Sequence, residues 1–137
     1  MKVFISHAHQ DEPLAKRLTA VLRKAGFEVW DQDREIMPGD NWAAKVAQAL
    51  QESNAIVVLL TPAALQSKWV WREIEYALGT EKYNQRLIPV AVGGEDKLPE
   101  DKIPWILKRL SLIELADPWQ EDDEGLQQVA QALSRAA

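Results

Sequence analysis

The stretch Ala55-Ile56-Val57-Val58-Leu59-Leu60 is apolar at every position, rich in β-branched residues, and runs into Thr61-Pro62. A strand with one face in water alternates apolar and polar residues, because successive side chains point to opposite faces. This run does not alternate, so it reads as a strand covered on both faces, as in the interior of a parallel sheet. Working outward, further short apolar runs fit strands at Lys2 to Ser6, Phe27 to Trp30, Leu87 to Val92 and Ser111 to Leu115. Segments of helical pattern separate them. That order is the signature of consecutive βα units and predicts a doubly wound α/β domain.

The helical segments carry their own punctuation. Leu14, Leu18, Val21 and Leu22 recur at helical spacing, with Asp11 as the expected cap and Gly26 as the stop. Trp42, Val46, Ala49 and Leu50 form a second stripe behind Asp40 or Asn41. A third helix carries Trp69 through Leu78 and ends at Gly79. The crossover from Gly93 to Leu110 holds two prolines and Trp105, and is expected to be mostly loop with a short helix. A last helix is expected from about Asp122 to Ala136, with the acidic run Glu121-Asp122-Asp123-Glu124 at its N-terminus.

Bulk composition narrows the function classes. A chain of 137 residues suits one domain, here taken as 1–137, with a single sizeable core. A net charge of −5 argues against a nucleic-acid surface. The absence of cysteine removes disulfides and thiol nucleophiles and fits a reducing compartment. The apolar run Val3 to Ile5 is too short for a signal peptide or membrane span. The expectation is a cytoplasmic protein that contacts neither nucleic acid nor membrane. Six tryptophans are many for this length, and some should line a site or an interface.

Chemistry gathers on the segment Ser67-Lys68-Trp69-Val70-Trp71-Arg72-Glu73. In a helix, Trp69 and Glu73 lie one turn apart on one face. Trp is ordinarily core and a helical Glu ordinarily solvated. Here, however, the pair follows a parallel strand, at the sheet edge where open α/β folds bind ligands. A flat aromatic plate beside one acid can stack a ring and stabilise a sugar cation. Glu75 lies about 200° further round the helix and cannot face the same pocket.

Two more loops fall on that edge. The first strand leads into Ser6-His7-Ala8-His9-Gln10-Asp11-Glu12. Its His-x-His pair suggests a metal-dependent barrel hydrolase, but there is no third His and the chain is far below the roughly 250 residues of such a barrel, so no metal is expected. The second loop, Asp31 to Trp42, is long for a βα connection, which suggests binding or assembly as readily as a turn at Pro38-Gly39. Neither a dinucleotide-type glycine fingerprint nor a P-loop lysine is present, and Thr61-Pro62 stands where a receiver domain needs its acceptor aspartate.

Together these residues resemble a TIR (Toll/interleukin-1 receptor) domain of the bacterial kind over nearly the full length. Val3-Phe4-Ile5-Ser6-His7-Ala8 with Asp11 is similar to the family's first box, with His7 where Tyr or Phe is common. Asp33 with Ile36, Pro38, Gly39 and Trp42 resembles its BB loop. Ser67-x-Trp69-x-x-x-Glu73 is similar to the segment carrying the catalytic glutamate of its enzymatic members, and a weaker counterpart to the third box lies near Pro104-Trp105.

The resemblance implies a flavodoxin-like three-layer sandwich, a five-stranded parallel sheet with helices on both faces. It also implies one of two functions, since the family contains adaptors that bind one another and enzymes that cleave NAD+, and fold alone does not choose between them. The carboxylate beside an aromatic favours an NAD+ glycohydrolase acting in signalling or defence and releasing nicotinamide with linear or cyclised ADP-ribose. The alternatives are a non-catalytic module working through homotypic contacts, or one that binds NAD+ without cutting it. On the enzymatic reading NAD+ is substrate and no cofactor is needed. Glu73 is the expected catalytic residue. Trp69, Ser6, His7 and Arg34 are the expected substrate contacts, with Arg34 opposite the diphosphate. Asp33, Ile36, Pro38, Gly39 and Trp42 are the expected assembly loop, and the resemblance implies homotypic self-association and, as many family members are fused to one, a sensor domain or partner protein as a further partner, with the trigger left open.

Overall fold

In the computed structural model, which describes residues 1–30, 37–83, 86–93, 107, 110, 112–115 and 124–136, strands and helices alternate along the chain. β1 (Lys2–Ser6) leads through a 3₁₀ turn at His9–Asp11 into α1 (Glu12–Lys24) and β2 (Glu28–Val29). Then come α2 (Trp42–Glu52), β3 (Ala55–Leu60), the single-turn α3 (Pro62–Leu65), α4 (Lys68–Leu78), β4 (Leu87–Val92), β5 (Ile113–Leu115) and α5 (Glu124–Ala136). The sheet order is β2-β1-β3-β4-β5. Every pairing is parallel.

β3 lies in the middle of the sheet and is buried at all six positions. Its side chains divide between two cores. Ile56, Val58 and Leu60 pack with Val46, Leu50, Val70 and Ile74 from α2 and α4. Ala55, Val57 and Leu59 pack with Leu14, Leu18 and Leu22 of α1 and Leu126, Val129 and Leu133 of α5. The missing alternation therefore has its physical cause in three layers, helix–sheet–helix.

The chain passes from β1 outward to β2 and then back across to β3 on the other side of β1. That reversal between β1 and β3 is a topological switch point, where the carboxyl ends of neighbouring strands splay their loops apart and leave a crevice. Ser6 pairs in register with Val58 at this edge.

Two strands are shorter than their sequence suggests. β2 covers Glu28–Val29 instead of Phe27 to Trp30, although the Trp30 amide still donates to the Val3 carbonyl. Trp30 stacks instead on Phe4, with ring centroids 5.3 Å apart. β5 begins at Ile113, and Ser111 lies outside the described residues. So do residues 94–106, with the expected crossover helix and Pro104-Trp105, residues 121–123 of the acidic run, and residues 31–36, with Asp33, Arg34 and Ile36. Among the described residues no helix is long and apolar enough to cross a membrane.

Helix ends follow local chemistry. Gly26 takes a positive φ of 96° where α1 stops. Asn41, rather than Asp40, caps α2 by accepting from the Ala44 amide at 3.2 Å. Asp40 instead accepts from the Met37 amide, closing the turn in which Gly39 has φ of 93°.

Candidate active site

α4 begins where Ser67 accepts from the Val70 amide at 3.3 Å. Its buried residues are Val70, Glu73, Ile74 and Ala77, the i, i+3, i+4, i+7 stripe of a helix laid on a sheet. Glu73 therefore occupies a core-facing position and is only 6 % exposed, not solvated as a helical glutamate ordinarily is. Trp71, on the neighbouring face, donates from Nε1 to the Leu65 carbonyl at 2.7 Å and ties α4 to α3.

A buried carboxylate needs a partner, and Glu73 has one from the far side of the sequence. Ser6 Oγ, at the carboxyl end of β1, donates to Glu73 Oε1 at 3.1 Å. Burial is the stronger influence on the acid and pushes its pKa up to about 8, with the Ser6 hydrogen bond pulling the other way. Glu73 thus favours its neutral form far more than a solvated glutamate does. A cation brought beside it would favour the carboxylate form.

The acid opens on a cleft of about 650 Å³, bordered also by His7, Trp30, Trp42 and Trp69 and continuing along α1 past Lys16. Trp69 sits one turn before Glu73 and is half-buried. Its ring lies against that of Trp42, centroids 4.3 Å apart at 32°, and the Arg72 guanidinium is 5.8 Å from its centroid. His7 places Nδ1 at 2.9 Å from the Ala8 carbonyl. A proton on Nδ1 makes that hydrogen bond and leaves Nε2 an acceptor. Among the described residues no cluster of three or more His, Cys, Asp or Glu forms a metal site.

The residues expected from sequence thus separate. Glu73, Trp69, Ser6 and His7 come together, with Ser6 fully buried and touching the acid rather than open space. Trp42, expected in the assembly loop, stands as a wall of the cleft. Met37, 62 % exposed, Pro38 and Gly39 stay outside it. Asp11 makes no side-chain capping bond to α1. Its carboxylate accepts from the Thr61 hydroxyl at 2.5 Å. The sequence reading missed this pairing and the α3 turn, although Thr-Pro after a strand is itself a helix-start signal.

A family model described as "TIR domain" matches residues 3–130. The chain belongs to the TIR domain family. It is 29% identical over 132 residues to a stimulator of interferon genes protein of Magallana gigas, covering 93% of this chain and 31% of that one. To the 2' cyclic ADP-D-ribose synthase BtTIR of Bacteroides thetaiotaomicron it is 30% identical over 86 residues, 62% of this chain and 30% of the relative. The NAD(+) hydrolase PdTIR of Paracoccus denitrificans gives 30% over 90 residues, 64% of this chain and 30% of the relative. This TIR chain spans about a third of the length of these curated relatives. Among solved structures, a metazoan TIR-STING receptor from C. gigas superposes with a TM-score of 0.76 at 28% identity, over 96% of this chain and 39% of that one.

Proposed function

We propose that this TIR domain is an NAD+ glycohydrolase that breaks the bond between ribose and nicotinamide. The carrying observation is the Glu73 carboxyl, buried in the cleft, held by Ser6 and one helical turn from Trp69. Relatives named NAD(+) hydrolase and 2' cyclic ADP-D-ribose synthase support the reading.

The chemistry fits one acid. As the ribose C1′–N bond breaks, its electron pair stays on the pyridinium nitrogen, so nicotinamide leaves neutral and needs no general acid. Ordinary glycosides need a second carboxyl for that step. What remains is an oxocarbenium-like ribose. A carboxylate close to it, in a site with little water, stabilises the developing charge and can accept hydrogen bonds from ribose hydroxyls. The substrate also supplies its own switch, because its pyridinium cation favours ionisation of Glu73 as it binds. Capture of C1′ by water gives ADP-ribose, and capture by an internal nucleophile of the same molecule gives a cyclised product. Trp69 serves to position a flat ring by stacking.

Incubation of the pure protein with NAD+, followed by chromatography, should show nicotinamide released in step with NAD+ lost. No release at any protein concentration would reject the reading.

Homotypic assembly through the 31–42 loop is part of the proposal, supported by the exposure of Met37 at 62 % near the loop's end. An apolar tip of this kind is suited to a contact with a different surface of a neighbour, which builds open arrays. Activity per molecule should then rise with protein concentration, whereas a private lid would leave it flat. The relatives' additional length supports a sensor region joined to the domain in the whole protein.

A further inference from the structure

Two hydrogen bonds cross the switch point between the segment that leaves β1 and the one that leaves β3. Ser6 to Glu73 lies in the cleft. Asp11 to Thr61, 50 positions apart, lies beyond it, and Asp11 is not among the residues bordering the cleft. Thr61 Oγ1 makes two bonds at once. It donates to Asp11 Oδ2 at 2.5 Å and accepts from the Ala64 amide at 3.0 Å, capping α3. From there Trp71 Nε1 ties α4 to the Leu65 carbonyl at the end of α3 at 2.7 Å. Asp11, Thr61, α3 and α4 are thus joined in one bonded run that leads to the helix carrying Glu73.

We propose that Asp11 is a positioning residue: by holding the Thr61 hydroxyl it fixes the α3–α4 unit against the end of β1, so that Glu73 stays within reach of Ser6 and of the ribose. The bond is charge-assisted and partly shielded from water, which places it among the stronger hydrogen bonds of a protein. It is also non-local, so neither turn chemistry nor helix propensity duplicates it. Its catalytic half rests on the NAD+ reading. Its geometric half does not.

The test reads Glu73 directly, by NMR titration of ¹³C-labelled glutamate carboxyls in the free protein. Asp11→Ala removes the brace and leaves the capping bond of Thr61 in place. Loosening the Ser6 contact should then raise the Glu73 midpoint by about half a pH unit. Asp11→Asn keeps an acceptor oxygen without the charge and should shift it less, in the same direction. Because Ser6→Ala breaks the same contact, the double variant should shift no further than Ser6→Ala alone. With NAD+, turnover should fall about tenfold in Asp11→Ala, with KM changed much less.

A midpoint within error of the parent would overturn the proposal, read on folded Asp11→Ala or, if that chain does not fold, on Asp11→Asn. So would shifts of Ser6→Ala and Asp11→Ala that simply add. A parent protein that releases no nicotinamide would instead reject the NAD+ reading, with the titration still deciding the brace.

Discussion

The two ends of β1 each hold a glutamate, in opposite ways. At the amino end, the Lys2 backbone amide donates to Asn54 Oδ1 at 2.8 Å and its ammonium lies 3.4 Å from Glu52. The hydrogen bond from Gln48, then the contact with Lys2, hold the Glu52 carboxyl below the usual range in open solvent. At the carboxyl end, the partner of Glu73 among the described residues is a neutral hydroxyl, and burial pushes the acid up to about 8. One strand thus carries a settled, hydrated ion pair at one end and an acid poised between its two forms at the other. The first arrangement asks nothing of a ligand. The second leaves an acid whose charge a cation would favour, the kind of perturbed group that gathers at functional sites.

The sharpest way to break this contrast is Glu73→Gln, which keeps the shape and removes the charge. Nicotinamide release should fall by about 10² to 10³. Activity within a few-fold of the parent would end the assignment of Glu73.

Next in size is the effect on stability. Glu73 has a folded pKa near 8, above its value of about 4.3 in an unfolded chain. Between those pH values the folded state binds more protons than the unfolded one, so stability falls as pH rises through the interval. At pH 8 the difference amounts to a few kcal/mol, about 1.4 per pH unit. Denaturant midpoints at pH 5 and pH 8 should therefore differ more in the parent than in Glu73→Gln, which should be the more stable of the two at pH 8. Equal slopes would mean that Glu73 is not buried in solution.

The pH–rate profile sharpens the same point. If the proposed reaction uses the Glu73 carboxylate, kcat/KM should rise with pH up to about 8, the range of free Glu73. The limb in kcat should lie lower, because bound pyridinium favours the charge. Coincident limbs would show that the substrate cation does not reach the acid.

Trp69→Ala should lower turnover more than it lowers the melting temperature, since Trp69 is half-buried against Trp42 rather than enclosed in the core. A core tryptophan would cost about 3 to 5 kcal/mol. At the other end of the scale, Glu52→Gln should leave both turnover and melting temperature at the parent's values, because hydrated surface pairs contribute little.

Much of this fold was legible because burial on both faces writes itself into the sequence. β1, β3 and β4 begin and end where the sequence pattern places them, at Lys2 to Ser6, Ala55 to Leu60 and Leu87 to Val92. β2 was overread because Phe27 and Trp30 look like strand residues, yet Trp30 spends its surface on Phe4. At the site, the spacing of Trp69 and Glu73 and the burial stripe of α4 are local features that a periodicity can carry. The bonds of Ser6 to Glu73 and Asp11 to Thr61 join residues 67 and 50 positions apart, and no spacing rule reaches across a sheet. Asp11 looked like a cap because it stands where caps stand. Its partner came from another strand.

The contact between Trp42 and Trp69 also gives the cleft an optical signature. Two indoles 4.3 Å apart share their excited states, so their absorption and emission report on the distance between them. A flat ring needs about 3.5 Å of clearance on each side, and the gap between these rings is too small to admit one. Any molecule that stacks between them must part the pair, and the protein's own ultraviolet circular dichroism and fluorescence would register that parting without a label.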